Sequence, residues 1–325
     1  MTDYHKKRTG FGQSETLNKW RRMLAVFVLV TLVFAIISGI GKTIAFGKIL
    51  GTSTWDGNSS VSIIRNTNPP SILIWQTYPK RLIVLTLDSD LKLVIGDTWR
   101  GVKGVGEIFE KLSGAEARKV VASGIHVPIT NYVYFEKDEN RHRDNFEDEF
   151  RRFAAITTPL SILVYGVGDV DTDIARMDII RLWWQVKSLS VDDIEIVDST
   201  AMTENVALSG GQKVLGVDDV SMHALLSKYM ENRKILESSQ KVTIINASGV
   251  SGTGKLASDF VSAVGGTVES VEAADVVDVT SMIAEKSYTS TYLAKLFDCV
   301  ITSGPINSRG SIRIVIGRDF AQKYF

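Results

Sequence analysis

One run of eighteen uncharged residues, MLAVFVLVTLVFAIISGI from Met23 to Ile40, constrains this chain more than any other feature. At 1.5 Å per residue a helix of that length covers ~27 Å, close to the ~30 Å of a hydrocarbon core. Lys6, Lys7, Arg8, Lys19, Arg21 and Arg22 precede it, whereas only Lys42 and Lys48 follow closely. The more basic flank stays in the cytoplasm. The N-terminus is therefore expected inside, and everything beyond about residue 45 outside. A cleaved signal peptide is the competing reading. It expects an apolar stretch of ~7–15 residues and small residues at a cleavage site. Here the run is longer, and SGIGKTIAFG offers only Ala45-x-Gly47. A single-pass anchor is the better fit.

The length of 325 residues allows about two domains beyond that anchor. Formal net charge is zero, so nothing in the bulk composition points to nucleic acid as a partner. Cys299 is the only cysteine, and the four histidines (His5, His126, His142 and His223) are scattered. An intramolecular disulfide is thereby excluded, and a zinc centre is not suggested.

Residues 51–70, GTSTWDGNSSVSIIRNTNPP, read as a spacer with a short strand at Val61–Arg65. Short β-branched runs follow at 71–75 and 81–87, with 77–80 as the turn between them, and 91–95 alternates again. Apolar positions over 106–123 predict one helix, closing at Gly124. A strand is expected at 132–135, the densely charged 136–152 reads as a solvated loop and helix face, and 160–167 reads as a buried strand. Ile180, Trp183, Trp184 and Lys187 fall at helical spacings within 174–189, so at least one tryptophan is expected in the core. Asp173 is expected to cap that helix. A strand at 194–197 and a polar-faced helix at 220–238 complete this part. Strands alternating with helices argue for an α/β architecture.

A second β/α unit begins at Lys241. Its loop, INASGVSGTGKLA, matches two nucleotide motifs at once. Gly249 to Lys255 has the P-loop spacing, and Gly252-x-Gly254-x-x-Ala257 has the dinucleotide spacing. The P-loop chemistry is incomplete, because Leu256 stands where a hydroxyl should hold magnesium. Asp275 and Asp278 offer the acidic residue of the dinucleotide reading, but the anchor places this loop outside, where nucleotides are not supplied. No nucleotide or other cofactor is expected. A structural turn is the favoured reading. A weaker use is an anion site at the helix N-terminus, built from Ser248, Gly249, Gly252 and Gly254.

The stretch VTIINASGVSGTGKLASDFVSAVGGTVESVEAAD, with 275–284, SIRIVIGRDF and its Gly317-Arg318-Asp319, resembles the C-terminal domain of LytR–CpsA–Psr (LCP) envelope proteins. The resemblance covers 241 to about 320. It implies a bacterial membrane around the apolar run and a catalytic α/β domain upstream, one that transfers glycopolymer from a polyprenyl-pyrophosphate carrier to the wall. Two upstream stretches, KRLIVLTLDSDLKLVIGD and ASGIHVPITNYVYF, are similar to that domain. Where the family has Pro-Arg-Asp this chain has Asp88-Ser89-Asp90, and only Arg233 represents the later arginine cluster. A serine does not reproduce bidentate phosphate binding by arginine. If the domain were active, Asp90, Arg81 and Arg100 would be its residues, with Lys80, Lys92 and Lys103 as further cations. Asp169-x-Asp171-x-Asp173 begins like a calcium loop, but Ile174 and Ile180 occupy its turn and bidentate positions. Asp88 and Asp90 are a second cation option if their strand extends so far. No metal site is expected.

The expected organisation is a cytoplasmic tail over 1–22, a transmembrane helix over 23–45, a linker over 46–70, a degenerate LCP-like domain over 71–238 and a LytR-type domain over 241–325. The function expected is non-catalytic, binding or organising wall glycopolymer or its assembly proteins. The alternative is an LCP-type phosphotransferase.

Overall fold

The computed structural model describes residues 53, 55–93, 103–135, 146–159, 162, 170–207, 213–302 and 310–325. The chain divides into two units, Met1–Thr52 and Ser53–Phe325, and the described residues belong to the second. The apolar run 23–40, Arg100, Asp169 and all of the expected strand 160–167 except Ile162 lie outside them. Among the described residues no helix is long and apolar enough to cross a membrane.

Among the described residues three sheets organise the α/β unit. The first has six strands in the order β7-β6-β1-β2-β3-β8: β1 (Val61–Arg65), β2 (Ser71–Thr77), β3 (Lys80–Thr86), β6 (Asn131–Phe135), β7 (Val170–Thr172) and β8 (Ile194–Asp198). The second, β5-β4-β10-β9, joins β4 (Lys92–Leu93), β5 (Lys103–Gly104), β9 (Thr203–Ala207) and β10 (Lys213–Val217). The third, β12-β11-β15-β13-β14, contains β11 (Lys241–Asn246), β12 (Thr267–Ala273), β13 (Ser281–Ala284), β14 (Val300–Thr302) and β15 (Ile312–Ile316). The helices are α1 (Val105–Lys111), α2 (Gly114–Gly124), α3 (Phe146–Ala154), α4 (Arg176–Val186), α5 (Asp219–Met230), α6 (Arg233–Ser238), α7 (Thr253–Ala263), α8 (Tyr288–Leu296) and α9 (Arg318–Tyr324).

The first sheet is covered on both faces, which period-two alternation makes visible. Ile64, Ile72, Ile74, Ile83 and Leu85 enter the main core, while Val61, Ile63, Trp75 and Leu82 face a second cluster with Phe150 and Val186. Val61–Arg65, read from sequence as a strand within a spacer, is buried along its whole length. Its polar residues tolerate burial because each is partnered. Ser62 donates to Pro128 O and receives the Thr130 amide, Asn66 exchanges two hydrogen bonds with Phe135, and Arg65 pairs with Glu149. The main core also includes Val242, Phe260 and Ile314, so apolar packing continues across the join at 238–241.

Two expected helices are broken by their own caps. Over 106–123 the chain forms α1 and α2 instead, because Ser113 and Glu116 build a capping box that starts a new helix. Over 220–238 it forms α5 and α6, with Asn232 accepting the Lys234 amide at the break. Asp173 does not cap α4, whose N-cap is Ala175. Its carboxylate is taken by Arg118, the Asn131 side chain and the Tyr132 amide. Trp183 is buried and its neighbour Trp184 is exposed.

Candidate functional site

In the third sheet β12 and β15 both run parallel to β11. Their carboxyl ends meet along one edge, where open α/β sheets characteristically place ligands. β11 is β-branched and half-buried, with Val242 and Ile244 in the core, and it ends at Asn246. The Asn246 carboxamide then folds the loop. Its Oδ1 accepts the Ser248 amide (3.2 Å) and hydroxyl (2.7 Å), and its Nδ2 donates to Val250 O (3.0 Å). The Ser248 hydroxyl also lies 2.8 Å from Thr253 Oγ1 and receives the Val250 amide at 3.1 Å. Gly249 and Gly252 take left-handed φ values of +76° and +84°, which a side chain would strain. At Gly254 a Cβ would lie 2.9 Å from Val271 Cγ1, so this glycine lets the helix approach β12. The glycines serve turn geometry and close packing.

Of the four residues weighed as an anion site, Ser248 and Gly249 line a hollow at this edge, and Gly252 and Gly254 are not among its lining residues. The Ser248 side chain is only 3% exposed and its hydroxyl is engaged within the loop. The hollow, about 640 Å³, is bounded further by Val250, Val276, Arg318, Ala321, Gln322 and Phe325. Its wall is largely apolar, with one guanidinium and one carboxamide. Arg318 is held toward it by a 3.0 Å contact with Asp278 Oδ1, and both side chains are largely exposed.

The segment that crosses this edge is tied down by backbone contacts. Val277 N donates to Ala247 O, and Arg318 N donates to Val277 O. Thr280 gives its amide and hydroxyl to Asp319, and its hydroxyl oxygen accepts the Gly317 amide at 3.0 Å. Burial opposes the Asp319 charge, yet the Thr280 and Phe320 hydrogen bonds outweigh it and hold the carboxyl below its ordinary range. At Gly317 a Cβ would stand 2.6–2.8 Å from the backbone of Val279 and Thr280. The Gly-x-Asp pattern is thus a packing and bonding device around Thr280, and it carries Arg318 to the rim.

Solved structures with partial likeness include the Bacillus subtilis transcriptional regulator YvhJ, at 12% identity and a TM-score of 0.41, covering 53% of this chain and 98% of that one. B. subtilis TagV matches with the same identity, score and coverage. B. subtilis TagT is similar at 10% identity and a TM-score of 0.35, over 54% of this chain and 91% of its own. No family model matches, and neither does any curated protein. The likenesses are partial.

Of the residues expected for an active upstream domain, Arg100 lies outside the described residues, and Arg81 and Asp90 stand toward opposite ends of β3. Arg81 is the second residue of β3, and Asp90 lies in the turn beyond its far end. From Arg81 to Thr86 alone is five strand steps, ~17 Å. Arg81 lies near Tyr229, whose hydroxyl donates to Glu195 and is pushed up to about 12, by burial first and Glu195 next. Asp88 and Asp90 do not share a strand face, because β3 ends at Thr86. The Asp88 carboxylate accepts the Asp90 amide at 2.8 Å in a turn. Asp171 and Asp173 face Tyr132 and Arg118. Among the described residues, no group of three or more His, Cys, Asp or Glu side chains is placed to hold a metal. Burial and then Asp298 and Asp319 push the Cys299 thiol up to about 11, which favours the neutral thiol over the thiolate.

Sequence reasoning missed Arg65 and Glu149, whose pairing spans 84 positions. It also missed Gln322 and Phe325 as hollow residues. The Ser248-Gly249 turn and the Gly317-Arg318-Asp319 triplet were the local signals toward the hollow.

Proposed function

We propose that the chain is a single-pass envelope protein whose globular part faces the outside and binds an anionic wall glycopolymer without chemically altering it. The apolar run with its basic N-terminal flank supports the anchor and its direction, and the resemblance of 241–320 to LytR-type domains supports the envelope setting. The observation that carries the binding role is the hollow at the carboxyl ends of β11, β12 and β15. A guanidinium at the rim suits a phosphate or carboxylate of the polymer. The Phe325 ring and the valines suit the C–H faces of sugar rings, and the Gln322 carboxamide can meet hydroxyls from either side. Ser248 lines the hollow, and its hydroxyl is engaged by Asn246 and Thr253 within the loop.

The test is a pull-down of the full chain, in detergent, on purified wall sacculi. Retention is expected on intact sacculi, with loss after acid extraction of their phosphodiester-linked polymers and after Arg318→Ala. Equal retention on extracted sacculi would sink the reading.

The phosphotransferase alternative needs Arg81 and Asp90 to act on one pyrophosphate, and their separation along β3 weighs against it. Mass spectrometry of the detergent-extracted protein gives the deciding measurement. A stoichiometric polyprenyl-pyrophosphate lipid would favour the transferase, and Arg81 and Arg100 would then be the first residues to replace.

A further inference from the structure

Helix α4 presents two neighbouring faces with different tasks. Asp178, Arg181 and Gln185, spaced i, i+3, i+7, lie along one of them and grip the first described residues of the unit. Asp178 accepts the Ser53 hydroxyl (2.5 Å) and the Trp55 amide (3.3 Å). Arg181 donates to Ser53 Oγ (2.6 Å) and Trp55 O (2.9 Å), and Gln185 donates to Gly57 O (2.7 Å). The chain therefore joins the unit along this helix. Twelve residues, 41–52, separate Ser53 from the end of the apolar run. Even fully extended they reach no more than ~43 Å.

The adjacent face reads Met177, Ile180, Trp184 and Lys187, again at helical spacing. Met177 and Ile180 are half-buried at its edge, and Trp184 is 65% exposed. Lys187 Nζ sits 3.4 Å from the centre of the Trp184 ring. Next to this face, the Trp183 indole donates to Ala155 O at 3.0 Å, which sets the following residue, Ile156, beside the helix with 87% of its surface in solvent. Asp178 is the only carboxylate in α4, and it is buried and turned toward the Ser53 segment. The exposed charges of the helix are basic.

From this arrangement we propose that the outer face of α4, with Ile156, is a membrane-contact surface that lies on an anionic lipid bilayer. It rests on the reading of 23–40 as the anchor. An indole with an ammonium over its ring, on an apolar stripe, matches the interfacial belt, where the ring sits at headgroup level and the cation meets lipid phosphate. The tether at Ser53 limits the distance from the bilayer, and the basic charge supplies attraction to anionic headgroups. The globular part thus rests on the bilayer through α4 rather than hanging free on its linker.

The test uses the full chain with Cys299→Ser, carrying a nitroxide on Ile156→Cys or, as control, on Val300→Cys, in vesicles of phosphatidylglycerol or of phosphatidylcholine. The label at 156 is expected to be several-fold less accessible to an aqueous nickel chelate in phosphatidylglycerol than in phosphatidylcholine. The label at 300 is expected to stay water-accessible in both. Trp184→Phe, an exposed change that leaves folding intact, is expected to remove part of the fluorescence quenching by brominated phosphatidylglycerol. Equal accessibility at 156 in both lipids, or equal shielding at 156 and 300, overturns the contact surface while the anchor stands. A chain that fails to float with either vesicle overturns the anchor and the contact together.

Discussion

The six-stranded and five-stranded sheets each gather the carboxyl ends of parallel strands along one edge, and they treat that edge in opposite ways. In the larger sheet β1, β3, β6 and β8 point the same way. Arg65, the last residue of β1, is 5% exposed. It is paired with Glu149 at 2.7 Å and faces the rings of Phe135 and Phe146. Asn66 closes the next gap onto Phe135. In the smaller sheet the equivalent edge opens into the hollow, and Arg318 stands at its rim in solvent. One arginine is committed to holding elements together, and the other stays largely exposed next to Asp278. A cation with a carboxylate partner is thus not one kind of feature. Burial decides whether the pair is structural or available.

The comparison breaks first if Arg65 proves dispensable. Glu149→Ala leaves a buried guanidinium without its counter-charge, and a loss of about 3–5 kcal/mol is expected in urea unfolding. Replacing both partners, as Arg65→Met with Glu149→Leu, is expected to recover most of that loss, since apolar packing substitutes well for a buried pair. A double variant as unstable as Glu149→Ala would mean that Arg65 has a role beyond this contact.

Next in size is Gly317→Ala. Its Cβ would meet rigid backbone of Val279 and Thr280, so about 1–3 kcal/mol is expected from thermal unfolding. Gly254→Ala is expected to cost less. Its nearest neighbour is a methyl of Val271 on an edge strand, and that side chain can turn. If the two alanines cost the same, the close approach at Gly317 is not what shapes the rim.

How much of this the sequence disclosed follows from how local each feature is. The β11 strand, the loop and α7 are written in consecutive residues, and so is the β2–β3 hairpin. The helix break at Ser113 was also local, since Ser113-x-x-Glu116 is a capping box in plain sight, but apolar periodicity runs smoothly past it. At β1 the Gly, Ser, Asn and Pro around VSIIR suggest a spacer. The partners that let its polar residues be buried come from residues 128–149, far along the chain. The hollow is non-local in the same sense. It draws on 248–250, 276 and 318–325, and no periodicity links them. The hairpin of β9 and β10 left no signal strong enough to read, because neither strand alternates cleanly.

Arg318→Ala sharpens the contrast between the two arginines. Its side chain is 57% exposed, so folding stability is expected to change by no more than about 0.5 kcal/mol. Retention on intact sacculi is expected to weaken about tenfold to a hundredfold, the range of one charge-assisted hydrogen bond at ~1.5–3 kcal/mol. A stability loss comparable to that of Glu149→Ala would put both arginines in the same class and remove the distinction.

The smallest expected effect concerns Asp319, and only its direction is predicted. Its carboxyl titrates lower in the folded chain than its ordinary value of 3.8, because burial is outweighed by the hydrogen bonds from Thr280 and Phe320. The fold therefore favours the anion. That contribution is fully present above the unfolded value and is lost as pH falls through the lower, folded one. Asp319→Asn removes the anion at every pH. The variant is accordingly expected to be less stable than the parent at neutral pH, with the gap closing as both are taken into acid below that folded value. Urea midpoints at neutral and acid pH provide the check. A gap that stays constant with pH would show that Asp319 orders Thr280 and Gly317 by shape alone. The smaller sheet's edge would then owe nothing to charge except at Arg318.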